Sequence, residues 1–269
     1  MSNGHARGRS WDRSPYCGQE GERKRPIACR LIAKMSPVNQ LQVVTALRDA
    51  IAESEGVAPS LVQTHLSFVL IARDRVYKIK KAVDVGFVDF RQLATRREMC
   101  ERELLLNRRL AASVYLGLAP IGLKDGRAIL GASRGVVEYA VVMRRLDERQ
   151  SLESRVRSGA ATAEEVRRVA RRLWEFHRAN GPARHFAELG SRASLLRNHL
   201  ENVRQLRPFI GQTIDAAQHQ SIRRDLDRFL RCNRALIARR VRDGWVRDCH
   251  GDVRAEHVFV EDGVDRKRT

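Results

Sequence analysis

The chain has 269 residues, 43% of them apolar, and a formal net charge of +19. That length can bury one large core or two units of roughly 100 to 150 residues each. No run of eighteen apolar residues and no N-terminal apolar segment occurs, so neither a spanning helix nor a secretory signal is indicated and a soluble cytoplasmic protein is expected.

Residues 1–37 carry Gly, Ser, Arg and Pro without an apolar period, including Arg23-Lys24-Arg25-Pro26. Such a segment buries too little surface to offset its ordering entropy and is expected to be a disordered basic tail, with Met35 a candidate start of the folded protein. An amphipathic helix is expected over 39–53. The period then changes: 68–71 and 76–80 read as two strands joined by the polar turn Ala72-Arg73-Asp74-Arg75. A helix over 90–112 follows, then a strand pair over 127–130 and 136–143, the first opening after the turn Lys124-Asp125-Gly126.

After Arg145 the pattern is helical. Thr162-Ala163-Glu164-Glu165 is a capping box opening a helix with Val166, Val169, Ala170, Leu173, Trp174 and His177 on one face. A second helix is expected over 194–206, and a long third one, marked by Ile222, Leu226, Phe229, Leu230, Leu236, Ile237 and Val241, ends at Gly244. The expected class is α+β. A small sheet with one helix comes first and a helical part second, divided as a tail over 1–37, a small unit over 38–147 and a helical unit over 148–269.

Five cysteines (Cys17, Cys29, Cys100, Cys232, Cys249) are scattered and never spaced C-x-x-C, which argues against a disulfide framework and a structural zinc site. Of the 51 basic residues only seven are lysine, and the arginines are interleaved with glutamates. An aromatic RNA-binding motif, a zinc-finger spacing and a P-loop are all missing, so a basic nucleic-acid-binding protein stands only as a subordinate alternative.

Three positions carry chemistry. On the helix over 90–112, Met99, Cys100, Leu104, Leu106, Leu110 and Ala111 share a face with Glu103 near its middle, while Glu98 and Glu101 project oppositely. A carboxylate there costs several kcal/mol of desolvation unless a cation meets it, or it reaches water past its neighbours. The second strand supplies cations: Val76, Lys78 and Lys80 alternate onto one face. A phosphate-positioning lysine needs an apolar wall two residues earlier; Val76 gives one to Lys78, and Lys80 is the fallback. The third position lies in Asp248-Cys-His-Gly-Asp-Val-Arg-Ala-Glu-His257, where His250-Gly251-Asp252 reads like a phosphotransferase loop whose carboxylate accepts the proton of an attacking hydroxyl.

In this order and at these separations, Lys78, Glu103 and His250-Gly251-Asp252 resemble the aminoglycoside phosphotransferase family of protein-kinase-like, two-lobe folds. The segments Val85-Gly-Phe-Val-Asp-Phe90, Glu103-Leu-Leu-Leu-Asn-Arg-Arg-Leu110 and His250-Gly-Asp-Val-Arg-Ala-Glu-His257 are similar to a bacterial branch of it. The resemblance implies ATP and magnesium as cofactors and a hydroxyl-bearing small molecule as substrate. It further implies that Asp252 is the base or orienter of that hydroxyl, that Lys78 positions the phosphates and that Glu103 holds Lys78; His250 is expected to brace the loop. Thr64-His65-Leu66-Ser67 occupies the turn over the phosphates in place of a glycine-rich loop, so Thr64 and Ser67 would cradle them. Residues 138–143 resemble the last strand before the adenine-reading hinge.

Two departures accompany it. His257 stands where the wider pattern has a metal-binding asparagine, and its imidazole prefers softer ions than magnesium. The second metal aspartate would fall about sixteen residues after Asp252, where the only carboxylate is Asp265, out of register, followed by Arg266-Lys267-Arg268. The sequence therefore reads as a C-terminally truncated large lobe, and the alternative function is a nucleotide-binding pseudokinase remnant.

Overall fold

In a computed structural model the chain is described over residues 39–86, 88–181 and 184–261. The expected basic tail, Met35, Cys17, Cys29, Phe87 and Asp265 lie outside the described residues. Helix α1 (Gln40–Glu55) starts at Asn39, whose Oδ1 accepts from Leu41 N at 3.0 Å, and stops at Gly56 in the left-handed region. Its buried stripe is Val43, Val44, Leu47 and Ile51.

Strands β1 (Ser60–Gln63), β2 (Ser67–Ile71) and β3 (Arg75–Lys80) form an antiparallel meander. Helix α2 (Leu93–Ala111) precedes β4 (Tyr115–Lys124), β5 (Arg127–Leu130) and β6 (Val136–Arg144), and all six strands make one antiparallel sheet in the order β1-β2-β3-β6-β4-β5. The class is α+β. Two expectations change here. The strands β1 and β4 escape the sequence reading, because β4 carries Gly117, Pro120 and Gly122 and β1 is only four residues long. With β4 present, β5 pairs with β4 across the turn Asp125-Gly126, both at positive φ, and β6 instead inserts between β3 and β4.

The sheet is covered on both faces. On one, α1 packs on Phe68, Leu70, Tyr77, Ile79, Ile121, Ala140 and Val142. On the other, Cys100 and Leu104 of α2 meet Val141, with Tyr115, Leu118 and Met143 beside them. The alternation of β3 divides between these layers: Tyr77 and Ile79 are buried, while Val76, Lys78 and Lys80 are half-buried. The buried arc of α2 is Arg96, Cys100 and Leu104, so Glu103 sits at its rim, not at its middle, and Leu106 is 43% exposed.

The rest is helical: α3 (Leu152–Arg157), α4 (Ala163–Ala179), α5 (Arg184–Ala187), α6 (Arg192–Leu206), α7 (Ala216–Cys232) and α8 (Arg234–Arg242). The capping box of α4 forms as expected, Thr162 Oγ1 accepting from Glu165 N and Glu165 Oε2 from Thr162 N. Its apolar face is open, however, with Val166 50% and Trp174 57% exposed. The single long third helix is in fact two. Asn233 Nδ2 donates to Phe229 O and Arg192 Nε to Leu230 O, so side chains take the carbonyls at the end of α7 and the chain restarts as α8.

Candidate active site

Glu103 accepts from two lysines at once: Lys78 Nζ lies 2.9 Å from Oε1 and Lys80 Nζ 2.6 Å from Oε2. Strand β3 and helix α2 face each other across the second layer, which brings these residues together from 25 and 23 positions apart. The Lys78 side chain is 32% exposed and that of Lys80 only 12%. Lys80 also lies over the Phe90 ring at 5.5 Å. Lys80 is therefore the inner partner and Lys78 the one that presents charge outward. Burial pushes the Glu103 carboxyl up, but the charges of Lys78 and Lys80 outweigh it and hold it below its usual 4.5. Burial likewise pushes Lys78 down, and the Glu103 charge more than reverses this.

The remaining side chains expected here divide. Val76 shares the face of Lys78, one apolar step along β3. Ser67 is paired in register with Lys80 and is buried. Thr64 Oγ1 donates to Ser67 O and accepts from Ser67 N, closing the turn between β1 and β2. The Thr64 hydroxyl is thus engaged by its own turn. Two shallow hollows, one beside α1 and Gly126 and one between α6 and α7, include none of these residues.

The loop after α8 is held locally. Gly251 has φ 81°, a conformation that glycine adopts without strain, and this lets Asp252 N reach back to donate to His250 Nδ1 at 3.3 Å. His250 braces the loop in that sense. Arg254 Nε lies 3.2 Å from Asp252 Oδ1, and Arg254 Nη2 lies 2.8 Å from Glu256 Oε1. His257 Nδ1 is 3.0 Å from Asp252 O, while its Nε2 faces Arg254 Nη2 at 3.2 Å. Both ring nitrogens of His257 are engaged, and Arg254 lies against one oxygen of an Asp252 carboxylate that is 63% exposed. Among the described residues, no three His, Cys, Asp or Glu side chains come together to hold a metal ion. Magnesium, which is held by one or two carboxylates together with a nucleotide's phosphates, would find the exposed Asp252 as a carboxylate of this loop.

Among the described residues no hydrogen bond or ion pair runs directly from Lys78 or Glu103 to Asp252; α2 joins them. Arg109, six residues after Glu103, donates to Asp248 Oδ2 at 2.6 Å and lies over the Phe176 ring at 4.7 Å. Asp248 O receives Asn180 Nδ2 at 3.5 Å, and Arg247 Nη1 donates to His177 O at 2.9 Å. His177 serves the loop through its backbone. The sequence reading also missed a buried cluster at the sheet end. Glu138, 1% exposed, accepts from Arg96 Nε and from Gln40 Nε2, and Arg96 also holds Phe90 O and Arg91 O. Its signal was available: a carboxylate inside the apolar run Val136-Val-Glu-Tyr-Ala-Val-Val-Met143 demands a cation for the reason that Glu103 does.

No protein-family model matches the chain, and no solved structure matches it. The sequence is 33% identical over 201 residues to uncharacterised proteins of Mycobacterium tuberculosis and Mycobacterium bovis, an alignment that covers 75% of this chain and 39% of each relative. The chain thus spans about 39% of the length of the curated relatives it matches.

Proposed function

We propose that the protein is an ATP-dependent phosphotransferase acting on a hydroxyl of a small molecule, on a protein-kinase-like two-lobe fold similar to that of aminoglycoside phosphotransferases. The observation that carries this reading is the Lys78–Glu103–Lys80 cluster: one carboxylate fixes two ammonium groups, and the 32% exposed Lys78 leaves net positive charge facing outward, where a triphosphate can bind. A helix on the lysine face of an antiparallel sheet, followed by helices bearing the His250-Gly251-Asp252 loop, supports the two-lobe division near residue 147. On this reading the protein acts where ATP is supplied, in the cytoplasm.

In this reading Lys78 meets the phosphates, and Glu103 and Lys80 keep it in place. Asp252 orients the substrate hydroxyl and takes its proton as the oxygen attacks the terminal phosphorus; the bond to the ADP oxygen breaks in the same transfer. Arg254 lies 3.2 Å from Oδ1 of Asp252, and the other carboxylate oxygen is the one offered to the hydroxyl. Polycationic aminoglycosides are disfavoured as substrates, because a chain of charge +19 repels them at long range.

The test is ATP turnover with magnesium across a panel of hydroxyl compounds. Turnover is expected in the wild type and a fall of roughly a hundredfold or more in Asp252→Ala; equal turnover in that variant removes the mechanism. A second reading, nucleotide binding without transfer, is favoured by the Arg254 contact on Asp252 and by the lack of a three-ligand metal set among the described residues. It predicts an ATP-induced rise in melting temperature that needs no magnesium, is lost in Lys78→Ala and comes without turnover.

A further inference from the structure

We propose that Arg109 is a positioning residue that holds the Asp252 loop to α2 through Asp248, so that one helix carries both the carboxylate fixing the lysines and the anchor of the catalytic carboxylate. The inference rests on the phosphotransferase reading for its kinetic consequence, but not for the tether itself.

Three contacts converge on the tether. Arg109 Nη1 and Asp248 Oδ2 are 2.6 Å apart although 139 residues separate them in sequence. The pair is only partly exposed, at 26% and 34%, and the Phe176 ring under the guanidinium fixes its plane at 4.7 Å. Asn180 at the end of α4 then holds the backbone carbonyl of the same Asp248. Asp248 is thus gripped through its side chain by α2 and through its main chain by α4. Four residues later comes Asp252, whose own contacts, to His250, Arg254 and His257, all lie within the loop. The far side of the loop is held to the start of α3, Leu152 N donating to Val258 O at 2.7 Å and Val260 N to Gln150 O at 2.9 Å, which leaves its near side, before Asp252, to be placed by Asp248. The described contacts between the loop and α2 run through Arg109, and α2 is positioned against the sheet by Arg96 and Glu103 at two points earlier along the same helix. A loop held to that helix keeps a set distance from the lysine cluster, and in-line transfer loses rate steeply when reacting groups drift apart.

The experiment compares wild type, Arg109→Ala, Arg109→Lys and the exchanged pair Arg109→Asp with Asp248→Arg. Amide exchange over residues 246–257 is read alongside kcat and the KM for ATP. Arg109→Ala is expected to speed exchange in that segment roughly tenfold and to lower kcat between roughly tenfold and a hundredfold with KM for ATP within about twofold. Arg109→Lys and the exchanged pair are expected to recover part of both. Unchanged loop exchange in Arg109→Ala overturns the proposal whatever the turnover. A kcat and KM that change equally in Arg109→Lys and Arg109→Ala, without recovery by the exchanged pair, also overturn it. If the wild type turns over no substrate while the exchange pattern holds, the tether stands and the phosphotransferase reading fails. Should Arg109→Ala not fold, the lysine variant and the exchanged pair carry the comparison.

Discussion

Glu103 is a carboxylate with two cations and almost no water, and its protonation governs whether the cluster attracts or repels its own parts. Its pKa is held below 4.5 by Lys78 and Lys80 against the opposing effect of burial, so its contribution to stability is complete above that pH and is lost as pH falls through the depressed value. Lys78 is raised above 10.5, so its share is present below that pH and lost as pH rises past the raised value. Glu103→Gln, which keeps the shape but leaves two ammonium groups side by side, is expected to cost about 2 to 3 kcal/mol at neutral pH. In urea titrations the gap between wild type and variant should hold across neutral pH and narrow as pH falls below 4.5 toward the depressed value; a gap that does not narrow on acidification contradicts the charge account. The site reading depended on this residue, and Glu103 and Lys78 were legible because an anionic side chain on an apolar face and cations alternating along a strand are local patterns. That Lys80 shares the carboxylate equally was not legible, since wall-building by Val76 distinguishes the two lysines only in sequence.

At the scale of elements, α2 acts as the beam of the molecule. Its first turns are fastened at the sheet end by Arg96, whose guanidinium reaches Glu138 through Nε and Nη2 and two backbone carbonyls through Nη1. Both side chains are buried, so removing one leaves the other charged and without its partner. Arg96→Met is expected to cost about 3 to 5 kcal/mol, and a double variant that also replaces Glu138 by leucine should recover more than half of that. Denaturant midpoints measure both; a single-variant loss under about 1 kcal/mol would show that the pair is not what sets the helix. The expected helix over 90–112 lost its first residues for the same reason: Phe90 and Arg91 turn their carbonyls to Arg96 and stay outside the helix. Gln40, the first residue of α1, joins this cluster by donating to Glu138 and to Lys80 O, which ties α1 to the strand that bears the lysines and to the carboxylate that fastens α2.

Taken whole, the molecule divides by burial. The sheet buries a core from Val43 to Val142 against α1 and a smaller one, Cys100, Leu104 and Val141, against α2, whereas the helices from α4 to α8 bury Val203, Leu230 and Ile237 and leave Val166, Trp174 and Phe229 half exposed or more. Amide exchange is therefore expected to be slowest in β2, β3 and β6 and faster by orders of magnitude in α4 and α7; equal protection in both parts would mean that the helical part is as tightly held as the sheet. No helix among the described residues is long and apolar enough to cross a membrane. By itself the sequence determined the α+β class, the hairpin of β2 and β3, the capping box at Thr162, the need of Glu103 for a cation and the shared strand face of Lys78 and Lys80, because each is written in neighbours within a few turns or one strand period. Only the tertiary structure decided that β6 inserts between β3 and β4, that Glu103 sits on the rim of its helix, that α7 and α8 are separate, and that Arg109 reaches Asp248. Those outcomes depend on which surfaces meet across tens of residues, and an arginine carries no local mark of the carboxylate it will find.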